Sequence, residues 1–378
     1  MGSLARRPLL LALFDTALGR AFDPALPIQP AEIDWAIQVG LGTVLQSALE
    51  KGPGLVPDAL AARIRAADRL ARLECAVRLD SAAEILDRCA DRAGPVTLLK
   101  GISICTQHYA RPFDRAMGDI DLLVAAEEVP ALESALAELG YQPTGGEAAR
   151  DYSGHHHTRP RVHPRTGVCV EVHSGLFPAR WAEQGPFCEA SLRAEQRPGD
   201  FAGRPVRRLS PELQLVYIAT HAALVFHPAA GARALLDTLL LLRGAGENLD
   251  WERVSGWLGD RRIAAHLQLV TSTLEGAGLA PAHAGLARIR PRLAALGRVE
   301  LRILARIIDR HHLRGLPLGD RLGADNRAVV WRTLLAAPGS AWNVARVPWN
   351  LLFPPTHPDR FRASHQLKRL RSALFRAS

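Results

Sequence analysis

The chain has 378 residues, 48% of them apolar and 22% charged, with 31 glycines and 26 prolines. That length and balance suit two or three packed domains and exclude a disordered, collagen-like or low-complexity protein. The formal net charge of +9 is uneven, because residues 301–378 hold 14 Lys and Arg against 4 Asp and Glu. Such a local excess would draw an anionic partner, whether nucleic acid, a lipid surface or an acidic peptide. Lysine occurs only at Lys51, Lys100 and Lys368, an arginine bias that reads as the mark of a GC-rich genome rather than of phosphate recognition. No apolar run is long enough to cross a bilayer, and Leu9 to Phe14 reads as a packed helix rather than a signal peptide. The five cysteines (Cys75, Cys89, Cys105, Cys169, Cys188) contain no CxxC pair. A disulfide framework and a zinc ribbon are therefore excluded, and a reduced, cytoplasmic protein is expected.

In chain order, residues 1–92 are expected to form an N-terminal helical region. Leu60, Ile64, Ala67, Leu70, Leu73 and Val77 recur at helical steps with charged residues between them. Gly94-Pro95 breaks that pattern, and Val96 to Leu99 reads as a short buried strand. A helix over Ile102–Tyr109 follows, then a second strand at Asp119–Val124 and a helix over Glu127–Leu139 that stops at Gly140. A hairpin or loop rich in His, Arg and Pro leads through the turn Arg165–Gly167 into a third strand, Val168–His173. From Pro211 onward the period is helical again, over Leu213–Phe226, Ala232–Leu242, Trp251–Leu258 and Ile263–Leu274. The expected fold class is α+β. A small mixed β-sheet core over residues 93–205 is flanked by helical regions at 1–92 and 206–378.

Chemistry concentrates on the second and third strands. Side chains alternate along a strand, so Asp119 and Asp121 share one face while Ile120 and Leu122 point to the other. Paired carboxylates repel, and a hard divalent cation is the usual way to hold them together. The third strand puts Val168, Val170 and Val172 on one face and Cys169, Glu171 and His173 on the other. If the two strands are neighbours, Glu171 completes a three-carboxylate cluster suited to Mg²⁺ or Mn²⁺. Upstream, Lys100-Gly101-Ile102-Ser103 lies where a strand turns into a helix, a junction whose backbone N–H groups and dipole attract anions. Gly101 would let a phosphate approach, with Ser103 and Lys100 adding a hydroxyl and a charge.

These residues carry a resemblance. Lys100-Gly101-x-Ser103, Tyr109, Pro112 and Arg115, followed by Gly118-Asp-Ile-Asp-Leu-Leu-Val124, are similar to the bacterial family of uncharacterised nucleotidyltransferases within the DNA polymerase β superfamily. The likeness continues through Gly140-Tyr141, His156, His163, Val170-Glu-Val-His173, Leu209-Ser-Pro-Glu212, His221, Leu236-Asp237, Asp250-Trp251 and Leu352-Phe-Pro354. It implies metal binding by Asp119, Asp121 and Glu171, an NTP (ATP first) as co-substrate, and transfer of its nucleoside monophosphate to a hydroxyl. Nucleotide binding would fall to Lys100, Gly101, Ser103 and Arg115. The chain departs from the superfamily pattern in one place: Ile102 separates Gly101 from Ser103, and Asp119 follows Gly101 by eighteen positions.

Other motifs have plainer readings. His155-His156-His157, with His163 and His173, have the residue types of a zinc site, but successive histidines on a strand would face opposite ways. A polar rim is expected instead, with His156 and His173 supporting the carboxylates. Asp359–Arg376 reads as a basic amphipathic helix, docked on its own protein or laid on a membrane surface. The acceptor is a peptide or protein, a small molecule or an RNA end, with a peptide or protein favoured over nucleic acid. The competing function is an inactive binding protein on the same fold that uses its basic C-terminal region to hold nucleic acid, peptide or membrane.

Overall fold

The structure is a computed structural model, and it describes residues 7–52, 54–90, 92, 94–145, 152, 154–178, 185–224, 227–279, 283–316, 324–336, 338 and 341–352. The segment Asp359–Arg376 and the residues Phe353-Pro354 lie outside the described residues. The chain divides into two units, Met1–Val39 with Ile218–Ser378, and Gly40–Tyr217.

The first unit opens with α1 (Leu9–Ala17), where Leu9 to Phe14 are all buried, and α2 (Pro30–Gln38). The start of α2 is fixed by Pro30 at its first position and by Glu32, whose carboxylate accepts from the Gln29 N–H at 3.0 Å. Both devices serve backbone groups that a helix start leaves without partners.

The second unit holds the sheet. It begins with α3 (Gly42–Lys51) and the 32-residue α4 (Asp58–Cys89). The apolar stripe expected on α4 is corrected here. Leu70 and Leu73 are 56% and 63% exposed, and the buried edge runs through Ile64, Asp68, Cys75, Ala82, Ile85, Leu86 and Cys89. Periodicity missed this edge because it contains an aspartate. Asp68 accepts from Arg72 Nε at 2.9 Å and 3.0 Å, and the Arg72 guanidinium stacks 4.1 Å from the Phe113 ring centre. A partnered carboxylate tolerates burial that an isolated one does not. Residues 40–92 fall in the same compact unit as the sheet.

Seven strands follow, interleaved with short helices: β1 (Thr97–Leu98), α5 (Lys100–His108), β2 (Ile120–Leu123), α6 (Val129–Glu138), β3 (Gln142–Pro143), β4 (Arg161–Val162), β5 (Cys169–His173), α7 (Glu189–Ala194), β6 (Gln196–Phe201) and β7 (Arg204–Leu209). The sheet order is β3-β4-β5-β2-β1-β7-β6. Strands β2 and β5 run parallel, as do β1 and β7, while the remaining pairs are antiparallel. This is the α+β architecture with a mixed sheet that the sequence predicts. α6 stops where expected: Gly140 takes φ +89°, and the Tyr141 N–H reaches back to Leu136 O at 2.9 Å. That closure favours glycine because a Cβ is strained at this angle.

One sheet face packs against the C-terminal half of α4 and against α6. Leu98, Ile120, Leu122, Val124, Val168, Val170, Val172 and Val206 form a buried cluster there with Ala82, Ile85, Leu86, Leu132 and Leu136. Alternation sends Thr97, Asp121, Leu123, Glu171, His173 and Arg207 to the opposite face. α8 (Pro211–Leu224) follows the sheet, and its residues up to Tyr217 belong to this unit.

Beyond residue 217 the first unit is helical: α9 (Pro228–Ala245), α10 (Trp251–Trp257), α11 (Arg261–Gly276), α12 (Ala284–Leu293), α13 (Arg298–Ile307), α14 (Ala324–Ala336) and α15 (Ala341–Leu352). Asp250 and Asp260 cap α10 and α11 through the N–H groups of Arg253 and Arg262, at 3.0 Å and 2.8 Å, the usual service of an aspartate at a helix start. Among the described residues, no helix is long and apolar enough to cross a membrane.

Candidate active site

Two backbone facts assemble the site. β2 and β5 are neighbours in parallel register, with Asp121 directly beside Glu171 and Leu123 beside His173. In addition, the Leu99 N–H donates to Asp121 O at 3.1 Å, which pins the start of α5 to β2. The four functional side chains then meet. Lys100 Nζ lies 2.7 Å from Asp121 Oδ1 and 3.9 Å from Glu171 Oε2. His173 Nε2 lies 2.9 Å from the same Asp121 Oδ1 and 3.5 Å from Glu171 Oε2.

Asp121 is 1% exposed. Its Oδ1 receives both Lys100 and His173, whereas its Oδ2 is buried with no hydrogen-bond partner among the described residues. A buried carboxylate oxygen without a partner is costly, and an oxygen-seeking cation is one group that satisfies it. Asp121, Glu171 and His173 each offer one ligand atom, and these atoms lie within 4.8 Å of one another. A donor set dominated by carboxylates suits a hard dication such as Mg²⁺ or Mn²⁺.

Charge is balanced closely here. Burial would raise the Asp121 carboxyl, but Lys100 and His173 hold it well below the ordinary range. The charge on Asp121, together with burial, pushes Asp119 up to about 6. Burial opposes ionisation of Glu171 as well, yet the hydrogen bond from His173 and the charge of Lys100 leave it lowered. Burial would lower His173, and its bonds to Asp121 and Glu171 raise it instead. Burial would also lower Lys100, but Tyr217, Asp121 and Asp119 keep it above the usual lysine value.

The sequence-predicted residues fall in different places. Asp121 and Glu171 are side by side as expected. Asp119 is half-buried immediately before β2, near enough to feel Asp121, Lys100, Glu171 and Arg115 electrostatically, yet the tightest ligand group contains His173 in its stead. Lys100 takes the left-handed backbone angle, φ +42°, rather than the glycine after it. Its ammonium sits among the carboxylates. Gly101 is required for another reason: a Cβ there would lie 2.6 Å from Arg115 Nη1 and 2.8 Å from Met117 Cγ. The space above it therefore holds Arg115 and Met117. Ser103 is 1% exposed; its hydroxyl donates to Gln107 Oε1 at 3.1 Å and lies 3.4 Å from Arg208 Nη1. Its hydroxyl thus sits in a buried network.

Sequence reasoning missed Tyr217. It is buried on α8, and its phenol and Lys100 each shift the other's charge. Its sequence signal was a phenol on a helix that is mostly apolar from Leu213 on. A cavity of about 580 Å³ lies on the sheet face that carries the carboxylates, lined by Thr97, Leu123, His155, His156, Phe177 and Arg207 among others. His156 bridges cavity and site, with its ring 5.5 Å from that of His173. Burial and the neighbouring His173 and His157 push His156 down to about 3, so its imidazole is neutral near pH 7.

Carboxylates from two adjacent parallel strands thus face a lysine at a strand-to-helix turn. The chain belongs to the uncharacterised nucleotidyltransferase family, which residues 30–280 match, and it is an enzyme of that class. The solution structure of the antibiotic-resistance factor ANT(2'')-Ia is similar over 48% of this chain and 90% of its own, at 20% identity and a TM-score of 0.33. No curated protein matches the chain.

Proposed function

We propose that this nucleotidyltransferase moves a nucleoside monophosphate from an NTP, ATP first, to a hydroxyl of a peptide, protein or small molecule. The observation that carries the reading is the register pair Asp121–Glu171, with a buried and unpartnered Asp121 Oδ2 at its centre. Mg²⁺ or Mn²⁺ would be held by Asp121 and Glu171, with Asp119 alongside. When bound, the ion shields the triphosphate oxygens and stabilises the charge that develops on departing pyrophosphate.

The protein groups divide the remaining work. Lys100 and Arg115 supply positive charge toward the triphosphate. Glu171, the more exposed of the two paired carboxylates, accepts the proton of the attacking hydroxyl. The hydroxyl oxygen bonds to the α-phosphorus as the α–β phosphoanhydride bond breaks, and pyrophosphate carries away the electron pair. His173 keeps Asp121 ionised and oriented, and Tyr217 closes the site behind Lys100.

The test is incubation of the full chain with Mg²⁺ and each α-³²P-labelled NTP, with and without cell extract, beside Asp121→Asn and Glu171→Gln variants. Label passing to a protein, peptide or metabolite with the wild type alone is the expected result. Absence of both transfer and Mg²⁺-dependent NTP binding overturns the proposal.

A further inference from the structure

The triple histidine is left unused by the carboxylate chemistry, and its geometry differs from the strand alternation expected of it. Residues 155–157 form no strand. The His155 N–H turns back to Tyr152 O at 3.0 Å, and His156 O accepts from both Ser174 N–H and Gly175 N–H, at 2.9 Å and 3.3 Å. Only His157 pairs with β5, as an isolated bridge to His173. This kinked path brings all three imidazoles together. Ring centres are 5.5 Å apart for His155–His156, 4.8 Å for His156–His157 and 4.9 Å for His155–His157. One ring nitrogen from each lies within 4.8 Å of the others.

We propose that His155, His156 and His157 bind a borderline transition dication, zinc being the best match, at a site separate from the carboxylates. Two further observations point to a ligand. His157 Nδ1 lies 2.8 Å from Thr158 O, so a proton there is donated to the carbonyl and Nε2 carries the lone pair. Metal-binding histidines are commonly oriented through their second nitrogen in this way. His156 Nδ1 is buried with no hydrogen-bond partner among the described residues, a gap that a metal bond fills.

The donor chemistry separates the two sites. Three imidazole nitrogens suit Zn²⁺, Co²⁺ or Ni²⁺, whereas the Asp121–Glu171 pair suits a hard ion. Tetrahedral zinc with bonds of about 2.0–2.1 Å sets its nitrogens roughly 3.4 Å apart, so the three nitrogens, which lie within 4.8 Å of one another, draw closer on binding. Three protein ligands leave a fourth position for water or for an oxygen of a bound molecule. His155 and His156 also line the 580 Å³ cavity, so a molecule held there would lie against two of the three imidazoles. The inference does not depend on the transfer reaction proposed above.

The test uses chelator-stripped full-length protein titrated with CoCl₂, followed by visible absorption, and with ZnCl₂ in a calorimeter. Alongside run an Asp121→Asn/Glu171→Gln variant and a His156→Asn/His157→Asn variant. A cobalt spectrum unchanged in the carboxylate variant, with at least about tenfold weaker binding of that ion in the histidine variant, is the expected pattern. Binding that the carboxylate variant abolishes and the histidine variant keeps would place the ion at Asp121, Glu171 and His173 and overturn the proposal, as would no stoichiometric binding at all. Should the histidine variant misfold, diethylpyrocarbonate modification of the wild type decides. Zinc but not magnesium protects residues 155–157, and equal labelling with and without zinc refutes the site.

Discussion

The two faces of the central sheet are made from the same strands yet obey opposite rules. On one, Leu98, Ile120, Leu122, Val170 and Val172 are fully buried against α4 and α6. On the other, one residue away along each strand, Asp121 and Glu171 sit beside Lys100 and His173. The apolar face is held by area removed from water and by close packing, which many side chains share. The polar face depends on a few charges in low dielectric, each committed to named partners, and one oxygen of Asp121 has none. Stability and chemistry are therefore separable by choosing which face to alter.

The largest effect is expected from the polar face. Asp121→Asn or Glu171→Gln should lower nucleotidyl transfer by about 10³-fold or more, equivalent to roughly 4 kcal/mol of transition-state stabilisation, while far-UV circular dichroism stays unchanged. Retained activity would break the assignment of chemistry to this face. The apolar face should answer in the opposite way. Leu122→Ala is expected to cost about 2–5 kcal/mol in urea unfolding, with activity per folded molecule within about twofold of wild type.

Gly101→Ala sharpens the contrast at the boundary between faces. Contact with Arg115 and Met117 predicts a stability loss of about 1–3 kcal/mol. A variant with wild-type stability and selectively weakened NTP affinity would instead show that the glycine makes room for phosphate.

Histidines extend the comparison into the helical unit. His173, fully buried beside two carboxylates, is raised, whereas His266 and His312, equally buried, are lowered by burial to about 4 and about 3. For the latter two the unfolded chain binds protons first as pH falls. Their contribution to stability is intact above the ordinary histidine value near 6.5 and declines toward pH 4 for His266 and pH 3 for His312. Each adds a slope of up to about 1.4 kcal/mol per pH unit in that window. Unfolding midpoints measured from pH 7.5 to 4.5 should fall, and His266→Gln should flatten the slope; a slope unchanged by that substitution would refute it.

Some of this was legible along the chain. Alternation at Asp119–Val124 and Val168–His173 identified both strands and the face that Asp121 and Glu171 share, because period-two patterning follows from backbone geometry alone. Gly140 marked the end of α6 for the same kind of local reason. Four helical stretches between Pro211 and Gly276 were read to within a few residues from their apolar spacing, whereas the helices from Ala284 to Leu352 were not delimited. Non-local facts were not legible in this way. The neighbours of Leu70 and Leu73 on α4 decided that these leucines stay exposed while Asp68 is buried.

By itself, then, the sequence determined the element types, the side-chain alternation and the carboxylates and lysine that the candidate site draws on, since these rest on local sterics and composition. The tertiary structure alone decided that Asp121 and Glu171 are register partners, that Lys100 sits between them, that Ser103 turns into a buried network and that the three histidines converge. Each of those facts depends on where a strand pairs or a loop kinks, and pairing across fifty residues is set by packing of the whole unit rather than by any spacing within a segment.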